Sequence, residues 1–327
     1  MSERLLPPTT GHRSSGEQVL VRSVAAELTA GLRNGAVRRM LVPPRETVCG
    51  PRDAKFISMP AVSADYDLYI NKTATITEPG TPGSAATVTS VVPMFSVSTG
   101  RFLGVLDGNT VTNVKCAAVT ALVTDRCAVP DAAVLGIIGA GVQARQQFVG
   151  VSAVRAITEV RIHSRTTDRA VTFAHEVAQL AARDGRTVRT VVCDTAEQAS
   201  RGVDILATAT TSTDPLPLSD ELPEHVHINC MGAHTVDSRE LAPALLRESL
   251  VIVEDLRTAL AEAGPLHSAA VELDVLVTPV ADGFARRRTV FASTGCAYLD
   301  LITCACLRMR EDGPDGTNHH TKAGNNG

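Results

Sequence analysis

Val134-Leu135-Gly136-Ile137-Ile138, running into Gly139-Ala140-Gly141-Val142-Gln143-Ala144, is the stretch on which the fold turns. The first five residues have the length and composition of a buried parallel strand, and the chain from Val142 onward can start a helix, so the glycines fall at a strand-to-helix turn. A dinucleotide diphosphate binds at such a turn. Gly139 permits the tight bend, Gly141 has no Cβ to hold backbone amides away from phosphate, and Ala144 is the small residue where helix meets strand. The helix N-terminus adds unpaired N–H donors and a partial positive charge. Glycines also punctuate ordinary strand–helix turns, so the motif takes its meaning from what surrounds it.

Downstream, a helical stretch to about Arg155 precedes Glu159 to His163, which alternates like a strand and ends in Ser164-Arg165-Thr166. In an NAD site this strand end usually carries an acid for the ribose 2′-hydroxyl, whereas an arginine suits a 2′-phosphate. With no acid here, the expected cofactor is NADP(H), with Ser164, Arg165 and Thr166 around the phosphate; NAD(H) is the alternative, with Arg165 a solvated loop cation. Thr167 to Arg183 reads as an amphipathic helix. Strands recur at Val188 to Cys193, Asp204 to Ala209, Val226 to Cys230 and Leu250 to Val253. Strands alternating with helices imply a parallel, doubly wound sheet of Rossmann type. Thr208, Ala209 and Thr210, at a strand's carboxyl end, are expected beside the nucleotide through backbone groups and hydroxyls.

Upstream, Glu17 to Leu32 has helical periodicity, with Gly31 and Gly35 expected to end it. Short segments rich in Val, Thr, Ile and Phe follow at Lys55 to Met59, Leu68 to Ile76, Ala86 to Val97 and Phe102 to Asp107, with turns at residues 79–83 and 98–101. Helical pattern returns from Asn113 to Ala128, and a last helix spans Ala297 to Met309. The expected class is therefore α/β. A Rossmann domain (116–296) stands beside a discontinuous β-rich (α+β) substrate and dimerisation domain (1–115, completed by 297–310). The polar, glycine-rich tail 311–327 is expected to be disordered, so His319 and His320 are not metal ligands.

The chain has 327 residues, 44% of them hydrophobic, enough apolar material for two cores. Its 31 basic and 35 acidic residues are well mixed, giving a net charge of −4, which excludes nucleic acid or an anionic membrane as expected partners. No apolar run reaches the ~18 residues that would span a bilayer, and the N-terminus lacks a signal-peptide core, so the cytosol is the expected compartment. Eight scattered cysteines without a C-x-x-C spacing read as reduced core thiols, and no metal site is expected.

Several blocks together resemble the ornithine cyclodeaminase and mu-crystallin family: Arg45 in V-P-P-R, Met59-Pro60-Ala61, Lys72, Ser98-Thr99-Gly100, and Asp107-Gly108 through Val111-Thr112 to Lys115-Cys116-Ala117-Ala118. The glycine turn, Ala207 to Pro215, Met231-Gly232-Ala233-His234, Arg239-Glu240-Leu241, and Phe291 to Gly295 before Asp300-Leu301 complete the series in order. The resemblance implies a homodimer formed through the β-rich domains and a nicotinamide-dependent oxidoreductase acting on the C–N bond of a small α-amino or α-imino acid. Hydride would pass at the α-carbon, more in the reductive direction. Cyclodeamination of ornithine or lysine with internally recycled NAD is the alternative; a non-catalytic, crystallin-like NADPH- and ligand-binding protein is an alternative of another class.

Arg45, Lys72 and Lys115 are the cations that the resemblance places around the substrate carboxylate, and orienting that group supplies much of a hydride-transfer rate. Two residues depart from the family pattern. Lys115 stands where Arg is usual and cannot form the same planar fork. His234 stands where the ornithine-cyclising members carry an acid, and an imidazole binds a distal ammonium poorly, which counts against cyclisation; lining the cofactor edge is its other reading. Asp300 resembles the acid that begins the family's last helix, placed either near the nicotinamide or on an exposed helix face. Lys72 and Lys115 compete as proton donor.

Overall fold

A computed structural model describes residues 14–51, 54–77, 88–232, 235–236 and 239–311. The chain opens with helix α1 (Ser14–Arg33) and a short α2 (Ala36–Arg39). Five strands follow: β1 (Glu46–Cys49), β2 (Lys55–Ser63), β3 (Leu68–Ile76), β4 (Val88–Phe95) and β5 (Phe102–Asp107). They pair antiparallel in sequence order as one meander. Side chains alternate along them. Met59, Ala61, Leu68, Ile70, Val92, Met94 and Leu106 point into the core, as a one-sided sheet requires.

Helix α3 (Gly108–Cys127) starts directly from β5, because Asp107 caps it by accepting Thr110 N at 2.7 Å. This is five residues earlier than periodicity suggests, since the Gly-Asn-Thr start hides the helix. It crosses residues 115–116 unbroken and packs against β4, β5, α1 and α4.

The second sheet has eight strands, all parallel, in the order β12-β11-β13-β10-β9-β6-β7-β8. Its elements are β6 (Val134–Ile138), α4 (Val142–Val154), β7 (Glu159–His163), α5 (Thr167–Arg183), β8 (Arg189–Val192), α6 (Ala196–Ser200), β9 (Ile205–Thr208), β10 (His227–Cys230), α7 (Pro243–Arg247), β11 (Leu250–Val253), α8 (Leu256–Ala263), β12 (Val271–Glu272) and β13 (Thr289–Ala292). The strand order reverses between β6 and β9. In open parallel sheets, the crevice outside the strand carboxyl ends at such a reversal is where ligands bind. The final helix, α9 (Ala297–Glu311), leaves this sheet and packs against β2, β3, α1 and α3.

Some local expectations are corrected. Helix α1 runs through Gly31, where a Cβ would lie 3.2 Å from Tyr66 Oη; that glycine serves close packing, not termination. Strand β13 has only four residues and follows three arginines, so the sequence hides it, yet it lies inside the sheet between β10 and β11. All eight cysteines are free, but Cys49 is exposed on β1 instead of packed in the core. No helix among the described residues is long and apolar enough to cross a membrane. The turn at 79–83 and the tail with His319 and His320 lie outside the described residues.

Candidate functional site

Two groups of residues stand out, the first at the carboxyl end of β6 and the second beside the turn that follows β13. The first is the turn between β6 and α4. Gly139 has φ +118°, and a Cβ there would lie 2.4 Å from Ala209 O, so only glycine lets the β6 and β9 ends come this close. Gly139 N donates to His163 O at 2.8 Å, which pins the end of β7 beside the turn. Ala140 is half-buried beside it. Gly141 is the N-cap of α4 without a side-chain cap, and a Cβ there would meet nothing within 4 Å. The space above it is open, as a docking phosphate requires. Val142 is exposed at the start of the helix, Gln143 Oε1 is buried without a hydrogen-bond partner, and Ala144 is fully buried beneath. These features fit a dinucleotide diphosphate: donors at a helix start, a Cβ-free approach and a small residue behind.

Beyond β7, Ser164 is half-buried while Arg165 and Thr166 are exposed. At the end of β9 the hydroxyls have other work. Thr208 Oγ1 donates to Glu240 Oε2 at 2.7 Å, and Thr210 N and Oγ1 donate to Glu240 Oε1 at 2.6 and 2.7 Å. Gly232 N adds a bond to Glu240 Oε2 at 2.8 Å. Glu240 is fully buried and ties together the segments that follow β9 and β10. The sequence marked Glu240 only as part of the Arg239-Glu240-Leu241 block of the resemblance, and its role as a buried tie comes from the fold.

The second group is a buried ionic cluster. Lys72 projects from the inner face of β3, Lys115 from α3 and Asp300 from the first turn of α9, where the helix dipole favours an anion. Lys72 Nζ lies 3.3 Å and Lys115 Nζ 3.1 Å from the same atom, Asp300 Oδ1. Lys72 also donates to Thr112 Oγ1 at 2.6 Å, one helical turn from Lys115, and the Thr112 hydroxyl in turn donates a hydrogen bond to Gly108 O at 2.8 Å. Asp300 is 0% exposed, which removes the reading as an exposed helix acid. Its Oδ2 is buried without a hydrogen-bond partner.

Burial, reinforced by the neighbouring Lys115 charge, holds the Lys72 ammonium below its ordinary range despite Asp300. Burial is the largest single influence on Lys115 and opposes its charge, but Asp300 together with Cys116 and Glu254 outweighs it and Lys115 is raised. For Asp300, burial favours the neutral acid, yet Lys115 and then Lys72 overcome it and keep the carboxyl below its ordinary value. The two lysines are thus shifted in opposite directions, Lys115 upward and Lys72 downward.

Arg45 approaches from the segment before β1. Its Nη2 donates to Thr294 O at 2.7 Å and Gly295 O at 2.8 Å, and its Nε pairs with Glu262 at 2.6 Å. Gly295 has φ +75°, and a Cβ there would lie 3.7 Å from Lys115 Nζ and 3.9 Å from Arg45 Nη2. Lys115 and Arg45 thus flank one bare backbone position. His234 lies outside the described residues.

The family model described as "Ornithine cyclodeaminase/mu-crystallin family" matches residues 11–311. The chain belongs to this family. Among its relatives, the ketimine reductase mu-crystallin of Rattus norvegicus is 32% identical over 278 residues, covering 84% of this chain and 86% of that protein. A Delta(1)-pyrroline-2-carboxylate reductase of Bacillus cereus is 27% identical over 312 residues, covering 90% of this chain and 94% of that protein. Among solved structures, Thermococcus litoralis Delta(1)-pyrroline-2-carboxylate reductase in complex with NADH and L-proline superimposes with a TM-score of 0.77 at 26% identity, covering 92% of this chain and 94% of that one.

Proposed function

We propose that this family member is an NAD(P)-dependent reductase of a small α-imino acid, with Arg45, Lys72, Lys115 and Asp300 as its substrate site. The observation that carries the reading is the convergence of three cations and one buried acid. They lie at the same sheet edge as a Cβ-free helix start suited to a diphosphate.

Arg45 and Lys115, facing each other across Gly295, hold the α-carboxylate of the substrate. A charged, bare floor between them fixes the α-carbon, and fixed orientation is what a two-reactant step gains most from. Gly139, Ala140, Gly141, Val142, Gln143 and Ala144 would hold the diphosphate of the coenzyme, and the backbone of Thr208, Ala209 and Thr210 would border it. A reduced nicotinamide held there would supply the hydride for the imine carbon. Lys72, the lysine whose ammonium gives up its proton more readily, provides the proton that the nitrogen requires, and Thr112 holds its amine in place. Asp300 Oδ2 accepts the hydrogen on that nitrogen.

Ser164, Arg165 and Thr166, with no acid at the end of β7, support NADPH over NADH. The outer face of the first sheet supports a homodimer. Phe56 and Phe102 are 45% and 55% exposed there, and the rings of Tyr69, Phe95 and Phe102 form a row with centroids 5.9 and 5.3 Å apart. Eight free thiols suit a reducing compartment, the cytosol.

Absorbance at the NAD(P)H band with Δ1-pyrroline-2-carboxylate tests the assignment. Net oxidation of the coenzyme is the expected result. Proline formed from ornithine at constant absorbance would identify a cyclodeaminase instead, and tight NADPH binding without turnover of any imino acid a binding protein.

A further inference from the structure

Glu254 follows β11 directly and is 3% exposed. Its Oε1 accepts Ser293 Oγ at 2.5 Å and Gly295 N at 3.1 Å, and its Oε2 accepts Thr294 N at 3.1 Å. All three donors belong to the turn between β13 and α9. Two carbonyls of the same turn, Thr294 O and Gly295 O, receive Arg45 Nη2. The next residue, Asp255, caps α8 by accepting Thr258 N at 2.7 Å and Thr258 Oγ1 at 2.6 Å, and α8 carries Glu262, the partner of Arg45 Nε. Both grips on the guanidinium thus originate in the Glu254-Asp255 pair at the end of one strand.

Only a carboxylate satisfies this arrangement. An amide offers one acceptor oxygen and two N–H groups, so in its place at least one backbone donor of the turn would face another donor. The turn also carries Gly295, the bare position between Arg45 and Lys115. Its placement sets the spacing of the two cations.

We propose that Glu254 is a positioning residue for substrate binding: through the Ser293–Gly295 turn it sets the Arg45 guanidinium at the spacing from Lys115 that an α-carboxylate requires. The inference rests on the reading of the site as one for α-imino acids. Glu254 holds this turn from the sheet side, and it touches neither Arg45 nor the lysines through a hydrogen bond.

The test uses the full chain, Δ1-pyrroline-2-carboxylate and saturating coenzyme. Glu254→Gln is expected to raise the imino-acid KM about tenfold, the scale of one lost buried hydrogen bond, with kcat and coenzyme affinity within about threefold of wild type. In an Arg45→Ala background the same change should add less than about twofold, because the residue it positions is gone. Coenzyme affinity falling in step with KM, or full additivity with Arg45→Ala, would overturn the proposal. If Glu254→Gln does not fold, Ser293→Ala removes a single donor; about a threefold rise in KM with the same non-additivity is expected, and an unchanged KM refutes it. A wild type that oxidises no coenzyme with any imino acid overturns the functional assignment instead. Calorimetric binding of L-proline with NAD+ then still reads Glu254: weaker binding in Glu254→Gln supports its role, and equal binding overturns it.

Discussion

Lys72 and Lys115 share one oxygen of Asp300, at 3.3 and 3.1 Å, although the three residues come from a strand, a central helix and the last helix. One buried anion thus faces two buried ammonium groups, which leaves the cluster with an excess of positive charge, the excess that the proposed function assigns to a substrate carboxylate. Asp300→Asn leaves the two cations facing each other without an anion. Removing one partner of a buried pair costs about 3–5 kcal/mol, so chemical denaturation should show a loss of that order together with a fall in kcat/KM.

Lys72 as the proposed proton donor predicts an activity limb on the alkaline side. Lys72 must be protonated to donate, and its folded-state value lies below the ordinary lysine range, so kcat for imine reduction should fall as pH rises through that lowered value. Lys72→Arg keeps a cation but cannot release its proton. It should bind substrate while losing most of kcat at every pH, as stopped-flow single turnovers would report.

Glu240 takes four hydrogen bonds from Thr208, Thr210 and Gly232 through the two oxygens of one side chain. In Glu240→Gln a donor replaces one acceptor against Thr210 or Gly232. An unsatisfied buried group costs about 1–3 kcal/mol, and a lower melting temperature with weaker coenzyme binding, read by NADH fluorescence, is expected.

Coenzyme choice is tested at the end of β7. Arg165 is exposed beside Ser164 and Thr166. Arg165→Ala should weaken NADPH binding about tenfold, the scale of a charge-assisted contact to phosphate, while leaving NADH nearly unchanged. Equal loss of both would remove Arg165 from the ribose side.

His227 supplies a pH-dependent stability. It is fully buried between Thr289 Oγ1 at 2.8 Å and Asn229 Oδ1 at 3.2 Å, and burial pushes its imidazolium down to about 3 from 6.5. Between these values the unfolded chain takes a proton that the native state refuses. Stability is therefore complete above the upper value and declines as pH falls below it, by about 1.4 kcal/mol per pH unit until the folded value is reached. His227→Gln should flatten that acid limb in urea melts recorded from pH 7 to 4.

The local elements were legible where spacing carries the signal. Val134–Ile138, Glu159–His163, Thr167–Arg183, Leu68–Ile76 and Phe102–Asp107 lie at the residues that periodicity marks, because alternation and the 3.6-residue repeat are properties of the chain itself. The glycine turn was legible for the same reason: a positive φ at Gly139 and an open face at Gly141 are demands on single residues. β13 was not, since four residues after an arginine run carry no periodicity, and its place between β10 and β11 depends on partners as distant in sequence as Leu250 and His227 are from Thr289.

The sequence by itself determined the parallel sheet, the glycine turn after β6 and, through its resemblance, the set of cations Arg45, Lys72 and Lys115. Only the tertiary structure decided how they are used. It buried Asp300 between two lysines, spent the hydroxyls of Thr208 and Thr210 on Glu240, and gave Glu254 the turn that holds Arg45. The physical reason is that patterning is local, whereas the ionisation of a lysine and the partner of a carboxylate depend on what folding brings within a few ångströms.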